Sequence, residues 1–373
     1  MAPPRRFFKP EGQAAKPRRG RSLTPSRILR PTTRSAGGGR QRGPLVQKAY
    51  EMIRAGSRSF ALASMLFDKD TREKAWLLYA WCRRCDDIAD AQHLGGELGD
   101  TAKAPDRVKA IRVLTRRALD GEPTADLAFD AFGQVAMECG LTMTMADDVL
   151  GGFALDAADW RPRTEADLMR YCYHVAGAVG VMMALVMGVD PDDDETLDRA
   201  CDLGLSFQLA NIARDIWEDD AAGRCYLPCE WLVEEDIEPG QHMKPHHREE
   251  LVAMVRRLCD LSRVHRKAGL AGTRALRFRQ RWAIHAAGRI YGEIAEEVDR
   301  RGPRAWDRRV VVGRRTKLRH VAGAFFDAIK KSHPMPTPPP KHQRGDILLE
   351  VRMAGPIADI PMDPLPDEYP EGR

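Results

Sequence analysis

No stretch of this 373-residue sequence holds the roughly 18 consecutive apolar residues that a membrane-spanning helix needs. The longest apolar run, Val175–Val189, has 15 residues and stops at Asp190, which predicts a buried helix. Alternating β-branched and polar residues are scarce. No glycine-rich phosphate loop or dinucleotide fingerprint follows a strand-like segment, so a parallel α/β nucleotide fold is excluded. The eight cysteines include Cys82-x-x-Cys85 and Cys225-x-x-x-Cys229, but no histidine stands at a usual ligand spacing from either pair. They read as reduced thiols rather than as zinc ligands.

Acid is nearly missing from the first 44 residues, where 12 Arg or Lys face the single Glu11. The whole chain carries only +5 at pH 7, so the remainder is net acidic. Any attraction to polyanions or anionic lipid therefore belongs to this head and not to the folded body. The head lacks the apolar core of a secretory signal, and only Phe7 and Phe8 interleave with its basic residues, so no nucleic-acid partner is expected. Its composition matches a low-complexity tail, with an organellar transit segment as the alternative.

What is present is helical. The chain is 43% hydrophobic and 30% charged, enough for a large soluble globular core. Segments such as "TREKAWLLYAWCRRCDDIAD" and "RQRWAIHAAGRIYGEIAEEVDR" repeat apolar residues every three to four positions. The reading is an all-α domain over 45–331, preceded by a disordered basic head over 1–44. A Pro-rich irregular tail over 332–373 follows.

Two helical faces stand out because they offer oxygen ligands. Gln208, Asn211, Asp215 and Asp219 share one face of "FQLANIARDIWEDD", beside a core stripe of Leu205, Leu209, Ile212 and Ile216. Tyr79, Arg83, Asp86 or Asp87, and Asp90 share a face of "LLYAWCRRCDDIAD". A solvated face normally mixes in lysine. Two carboxylate faces meeting inside a bundle must face water or hold cations, since each uncompensated buried charge costs several kcal/mol. Mg²⁺ suits such a site because it takes a few carboxylates and completes its shell with water and phosphate oxygens. Arg83 and Arg214 flank the acids, either as helix ion pairs (Arg214 with Glu218) or as phosphate clamps. The arrangement points to a Mg²⁺–diphosphate site backed by apolar walls. Val175–Val189 reads equally as core or as the lining of an isoprenoid tunnel. Trp217, on the opposite side of its helix from Asp219, reads as core.

Taken together, "GSRSFALASMLF", "LYAWCRRCDDIAD", "YCYHVAGAVG" and "QLANIARDIWEDDAAGRCYLP" occur in the order and separation of a known family. From about Ala49 to His320 the chain resembles the phytoene/squalene synthase family of head-to-head isoprenyl diphosphate synthases, most of all its bacterial phytoene-forming branch. The resemblance implies a single-domain isoprenoid synthase helical bundle with a central active-site cavity. It implies that Asp86, Asp90, Asn211, Asp215 and Asp219 hold Mg²⁺ (or Mn²⁺) and diphosphate, with Asp87 completing the first motif. Ser57, Ser59, Arg83, Gln208, Arg214 and Tyr226 would contact or shape the diphosphates. Phe60, Tyr79, Tyr171, Val175, Ala176 and Gly180 would surround the reacting carbons and tails. Tyr291 and one of Arg308 or Arg309, with Arg309 taken here, resemble a later diphosphate-binding pair. Gly313 stands where the family usually carries serine.

The implied reaction joins two geranylgeranyl diphosphates through prephytoene diphosphate to phytoene, the first committed step of carotenoid biosynthesis. The alternatives are a squalene, dehydrosqualene or hydroxysqualene synthase using farnesyl diphosphate, and a non-catalytic relative that has lost its acids. Because substrate and product are lipids, the expected location is the cytoplasmic face of a membrane, with peripheral attachment.

Overall fold

The structure is a computed structural model describing residues 35–91, 103–330 and 334–354. Among these residues every regular element is helical and no β-strand occurs, the all-α class that the periodicity predicts. The first helices are α1 (Arg42–Gly56), α2 (Arg58–Ser64), α3 (Lys69–Ala89), α4 (Ala104–Leu119) and α5 (Leu127–Cys139). Next come α6 (Met143–Ala157), α7 (Glu165–Cys172), α8 (Ala178–Val186), α9 (Asp194–Ala221) and α10 (Cys229–Glu234). The series ends with α11 (Arg248–Ala271), α12 (Phe278–Arg301), α13 (Arg314–Ile329) and α14 (Arg344–Met353).

Local chemistry starts the helices that carry the acidic faces. Asp68 caps α3 by accepting from Thr71 N at 3.0 Å, and Asp193 caps α9 by accepting from Thr196 N at 3.1 Å. Ser57 has extended backbone, which ends α1, and its hydroxyl accepts from Phe60 N to begin α2. Helix α9 is the central element, packed against α8, α11 and α12, while α3 packs against α1 and α5. Between α8 and α9 the backbones nearly touch. A Cβ on Gly180 would collide with the carbonyl of Ala200, and one on Gly204 with the carbonyl of Ala176. Glycine is required there by contact distance alone.

The apolar run seen in the sequence is the buried helix expected of it, but it is not one regular helix. A π-turn at Tyr173–Gly177 joins α7 to α8. The resulting stretch Glu165–Val186 is long and apolar enough to cross a bilayer by composition, yet two-thirds of its most apolar 18 residues are buried inside the protein. It is a core helix.

Several expectations need correction. Residues 1–34 of the head lie outside the described residues, but 35–44 are ordered. The chain turns at Ala36–Gly39, and Arg40 and Arg42 bond to Asp130 and Glu138, starting α1 at Arg42 and not at Leu45. The tail is not wholly irregular: Ile347 is buried, Arg344 bonds to Asp198 at 2.8 Å, and these hold α14 against α7 and α9. Residues 355–373 lie outside the described residues. Trp217 is 55% exposed and belongs to no core: Ile216 beside it is buried, and Trp217 lies on the outer side of α9. Gly313 occupies the N-cap of α13 without a side-chain hydrogen bond, and open space surrounds it. His242, distant from the cysteine pairs in sequence, does approach Cys225, with 4.0 Å between Nδ1 and Sγ. All eight cysteines are free thiols.

Candidate active site

Two cavities meet at the centre of the bundle. The inner one, of about 340 Å³, is lined by Phe60, Val175, Ala176, Gly180, Met183 and other apolar side chains from α2, α8, α9, α11 and α12. The outer one, of about 770 Å³, is lined by Asp86, Asp90, Asp156, Asp215 and Asp219. Tyr79, Cys82, Val175, Val179, Gln208 and Asn211 line both, so they form the neck between an acidic mouth and an apolar interior. The π-turn places Val175 at this neck and Ala176 inward. Single-turn π-segments are frequent at functional sites.

The two aspartate-rich segments are linked directly. Arg224, in the turn after α9, donates to Asp90 at the C-cap of α3 at 2.8 Å. Asp156 of α6 lies between them and accepts from Tyr226 at 2.9 Å and from Tyr171 at 3.2 Å. The two tyrosine rings stack with centroids 4.6 Å apart. Neither Asp156 nor Arg224 belongs to the residues read from sequence. An acid following the apolar stretch "GGFAL" on α6 was the available signal for Asp156; Arg224 sits in the "GRCYLP" turn, whose Tyr226 was assigned.

Charge crowding shows in the carboxylates. Burial, aided by Asp215, pushes Asp219 up to about 7. Burial pushes Asp86 up to about 6, with Arg83 opposing and Asp90 adding. Asp156 rises to about 6, again through burial, against the pull of Arg224. Asp215 goes the other way. Burial alone would raise it, but Arg214 and Arg309 outweigh that and hold it below the usual carboxylate range. Arg309 donates to both its oxygens at 2.8 and 2.9 Å, and Arg214 bonds to it from the other side. Arg214 thus pairs with its sequence neighbour rather than with Glu218. Of the two late arginines, Arg309 is the one at the acids.

Asp87 does not face the mouth. It is buried and accepts from Arg83 Nη2 at 2.7 Å, while Arg83 also reaches Asp86 at 2.9 Å. Its place is behind the site, orienting Arg83. Ser57 and Ser59 border the inner cavity. Tyr79 stands 5.6 Å from Phe60, ring to ring, and its hydroxyl fills the space that a Cβ on Gly56 would take. Tyr291 stacks on Phe207 with centroids 4.2 Å apart, a pair of which only Tyr291 was expected.

No three His, Cys, Asp or Glu side chains among the described residues converge tightly enough to hold an ion by themselves. The donor set nonetheless fits a hard divalent cation that shares its shell with a ligand. The donors are carboxylate and amide oxygens, they face one cavity, and burial raises the proton affinity of two of them, Asp86 and Asp219, so that a cation would compete with protons there. The arginines Arg83, Arg214, Arg224 and Arg309 already engage the acids and suit phosphate oxygens equally.

An all-helical bundle whose apolar chamber opens into a mouth of paired carboxylates and arginines defines a class: an enzyme that handles a long apolar chain bearing an anionic, metal-binding head. The chain belongs to the squalene/phytoene synthase family, whose model matches residues 53–316. It is 44% identical to a phytoene synthase of Pseudescherichia vulneris over 299 residues, covering 80% of this chain and 96% of that one. It is 42% identical to a 15-cis-phytoene synthase of Pantoea ananas over 303 residues, with coverage of 80% and 96%. Among solved structures, a dehydrosqualene synthase superposes with a TM-score of 0.69 at 24% identity, covering 78% of this chain and 98% of that one. A squalene synthase from Alicyclobacillus acidocaldarius superposes with a TM-score of 0.62 at 22% identity, covering 72% and 98%. The isoprenoid synthase fold inferred from the motifs is thereby shown.

Proposed function

We propose that this enzyme condenses two geranylgeranyl diphosphates head to head through prephytoene diphosphate and releases phytoene. The observation that carries the reading is the junction of the two cavities: the acidic mouth opens at Tyr79, Val175, Gln208 and Asn211 directly into the apolar chamber. The phytoene synthases that match over four-fifths of the chain select the branch.

Asp86, Asp90, Asn211, Asp215 and Asp219 would hold Mg²⁺. Bound there, it would neutralise the diphosphate leaving group and so favour ionisation of the allylic carbon–oxygen bond. Arg83, Arg214, Arg224 and Arg309 grip phosphate oxygens. Each already bonds to a carboxylate, so an arriving diphosphate exchanges one anion for another without stranding a buried cation. Phe60, Tyr79, Phe207 and Tyr291 line the apolar chamber, where aromatic rings would stabilise the allylic cation and apolar walls would limit its access to water. In the first half the double bond of the second substrate attacks the allylic carbon, and one proton and one diphosphate leave as the cyclopropane closes. In the second half the cyclopropylcarbinyl diphosphate ionises and rearranges, and it loses a further proton to give the hydrocarbon. The acids act as ligands in the first half and not as its general bases.

We place this chemistry at the cytoplasmic surface of a membrane, where both the tails and the product partition. The test is turnover of purified enzyme with Mg²⁺ on geranylgeranyl or farnesyl diphosphate, given separately, with extracted hydrocarbons identified by mass and absorbance. Phytoene from the longer substrate alone is expected. A thirty-carbon hydrocarbon would move the enzyme to the squalene branch, and absence of product from either would refute the assignment.

A further inference from the structure

Helix α13 is built inside out. Its buried side carries the small Ala324 and Ala328. Its outer side shows Leu318 at 61% exposure, Phe326 at 65% and Ile329 at 56%. At 100° per residue these three, with Ala322, form one stripe. Arg315, Arg319 and Lys330 border that stripe and are exposed. The one acid on α13, Asp327, is bonded to Arg289 at 2.5 Å. Large apolar side chains usually scatter singly over a protein surface; a row of them flanked by cations marks an interaction site.

The stripe continues onto the start of α12, where Phe278 packs edge-on against Phe325 with centroids 5.5 Å apart and is itself flanked by exposed Arg277 and Arg279. This end of the molecule also borders the inner cavity. Arg281 donates to the carbonyl of Leu276, which lines that cavity, and to the carbonyl of Ala328 in the last turn of α13, at 2.9 Å each.

We propose that the outer face of α13, with Phe278 beside it, docks on an anionic lipid bilayer. Leu318, Phe326 and Ile329 enter the headgroup–acyl boundary while Arg315, Arg319 and Lys330 meet lipid phosphates. An exposed apolar stripe with cationic borders and no free acid on its helix is the composition of an interfacial helix. The placement puts the bilayer against the end of the apolar chamber where a hydrocarbon product would leave, and to that extent the proposal rests on the lipid chemistry proposed above.

The test uses the full chain and sedimentation with vesicles of phosphatidylcholine, with or without phosphatidylglycerol. Wild-type protein should sediment with the anionic vesicles and be released by salt. The triple variant L318Q/F326Q/I329Q should lose about tenfold or more in affinity, and R315Q/R319Q should lose most of its preference for anionic over neutral vesicles. Both should turn over geranylgeranyl diphosphate in detergent at the wild-type rate, since none of these residues borders the site. If the triple variant sediments like wild type, or wild type ignores anionic vesicles, the proposal fails. A wild-type dimer by light scattering that the triple variant dissolves would likewise overturn it, assigning the face to a second copy. Vesicle binding with no turnover in any form would refute the enzymatic reading and leave the docking face standing.

Discussion

Tyr226 and Tyr171 lie stacked in the mouth of the site, and both donate to one carboxylate, that of Asp156. Each takes a different oxygen, so the carboxylate fixes both phenols at once. Asparagine in its place keeps one carbonyl acceptor and loses the other. Asp156→Asn should therefore free one tyrosine while leaving the shape of α6 intact. A hydrogen bond to a charged group is worth about 1.5–3 kcal/mol, so turnover should fall about 10- to 100-fold. Stability should not fall with it at pH 8, since the substitution also removes a charge that burial disfavours. Thermal unfolding and steady-state rates on one preparation check both halves. Wild-type turnover in Asp156→Asn would remove Asp156 from any positioning role.

Arg309 holds Asp215 by both oxygens from a half-exposed position, with Arg214 on the far side. Lysine there keeps the charge and loses the fork, which is the part that matches a carboxylate or a phosphate. Arg309→Lys is expected to lower kcat/KM about tenfold, and Arg309→Ala further, with unchanged helix content by circular dichroism. If the lysine variant matches wild type, Arg309 is a surface ion pair, worth about 1 kcal/mol at most.

The two aspartate-rich faces were legible because their chemistry is local. Spacing of three and four on α3 and α9 puts Asp86 with Asp90, and Asp215 with Asp219, on one side whatever surrounds them. Asp156 and Arg224 were not legible in that way. Each is a single polar residue whose meaning comes from partners on other helices: Tyr171 and Tyr226 in one case, Asp90 in the other. The same holds for α14, where "RGDILLEVRM" is too short to commit to a helix until Arg344 meets Asp194 and Asp198. Trp217 misled for the opposite reason. Its angle on the helix was right, but angle says nothing of whether another element lies opposite. The π-turn at Tyr173–Gly177 leaves no compositional mark, although it aims Val175 and Ala176 into the cavities.

Asp219 near 7 and Asp86 near 6 make cation binding a competition with protons. Both values are raised, so the folded state holds these protons more tightly than the unfolded chain does. Without a cation, their contribution to stability is fully present below the ordinary carboxylate range near 4, and it is lost as pH rises through about 7. Mg²⁺ binds the deprotonated forms, so the stabilisation it gives should grow over that window. The measurement is Tm with Mg²⁺ minus Tm with EDTA, at about pH 5.5 and about pH 8.5. A larger difference at the higher pH is expected, amounting to several degrees at a hundredfold excess over Kd. Equal differences at both would mean that these acids do not bind the metal. Asp215→Ala should abolish the difference and turnover together.

Gly180 and Gly204 should behave against the usual rule for helix glycines. Replacing a helical glycine with alanine ordinarily stabilises by about 0.5–1 kcal/mol, because it narrows the unfolded ensemble. At these two positions the new methyl would meet a backbone carbonyl on the neighbouring helix, Ala200 in one case and Ala176 in the other. A carbonyl cannot swing aside as a side-chain tip can, so α8 and α9 must separate. Overpacking of this kind costs about 1–3 kcal/mol. Gly180→Ala and Gly204→Ala should each lower Tm. Gly43→Ala, in α1 with open space around its Cβ position, should raise it slightly or leave it unchanged. The separation also moves Val175 and Ala176 away from Gln208 and Asn211 across the neck, so turnover should fall in the two tight variants even at temperatures where both remain folded. If Gly180→Ala is as stable and as active as wild type, the close approach of α8 and α9 is not what shapes the neck.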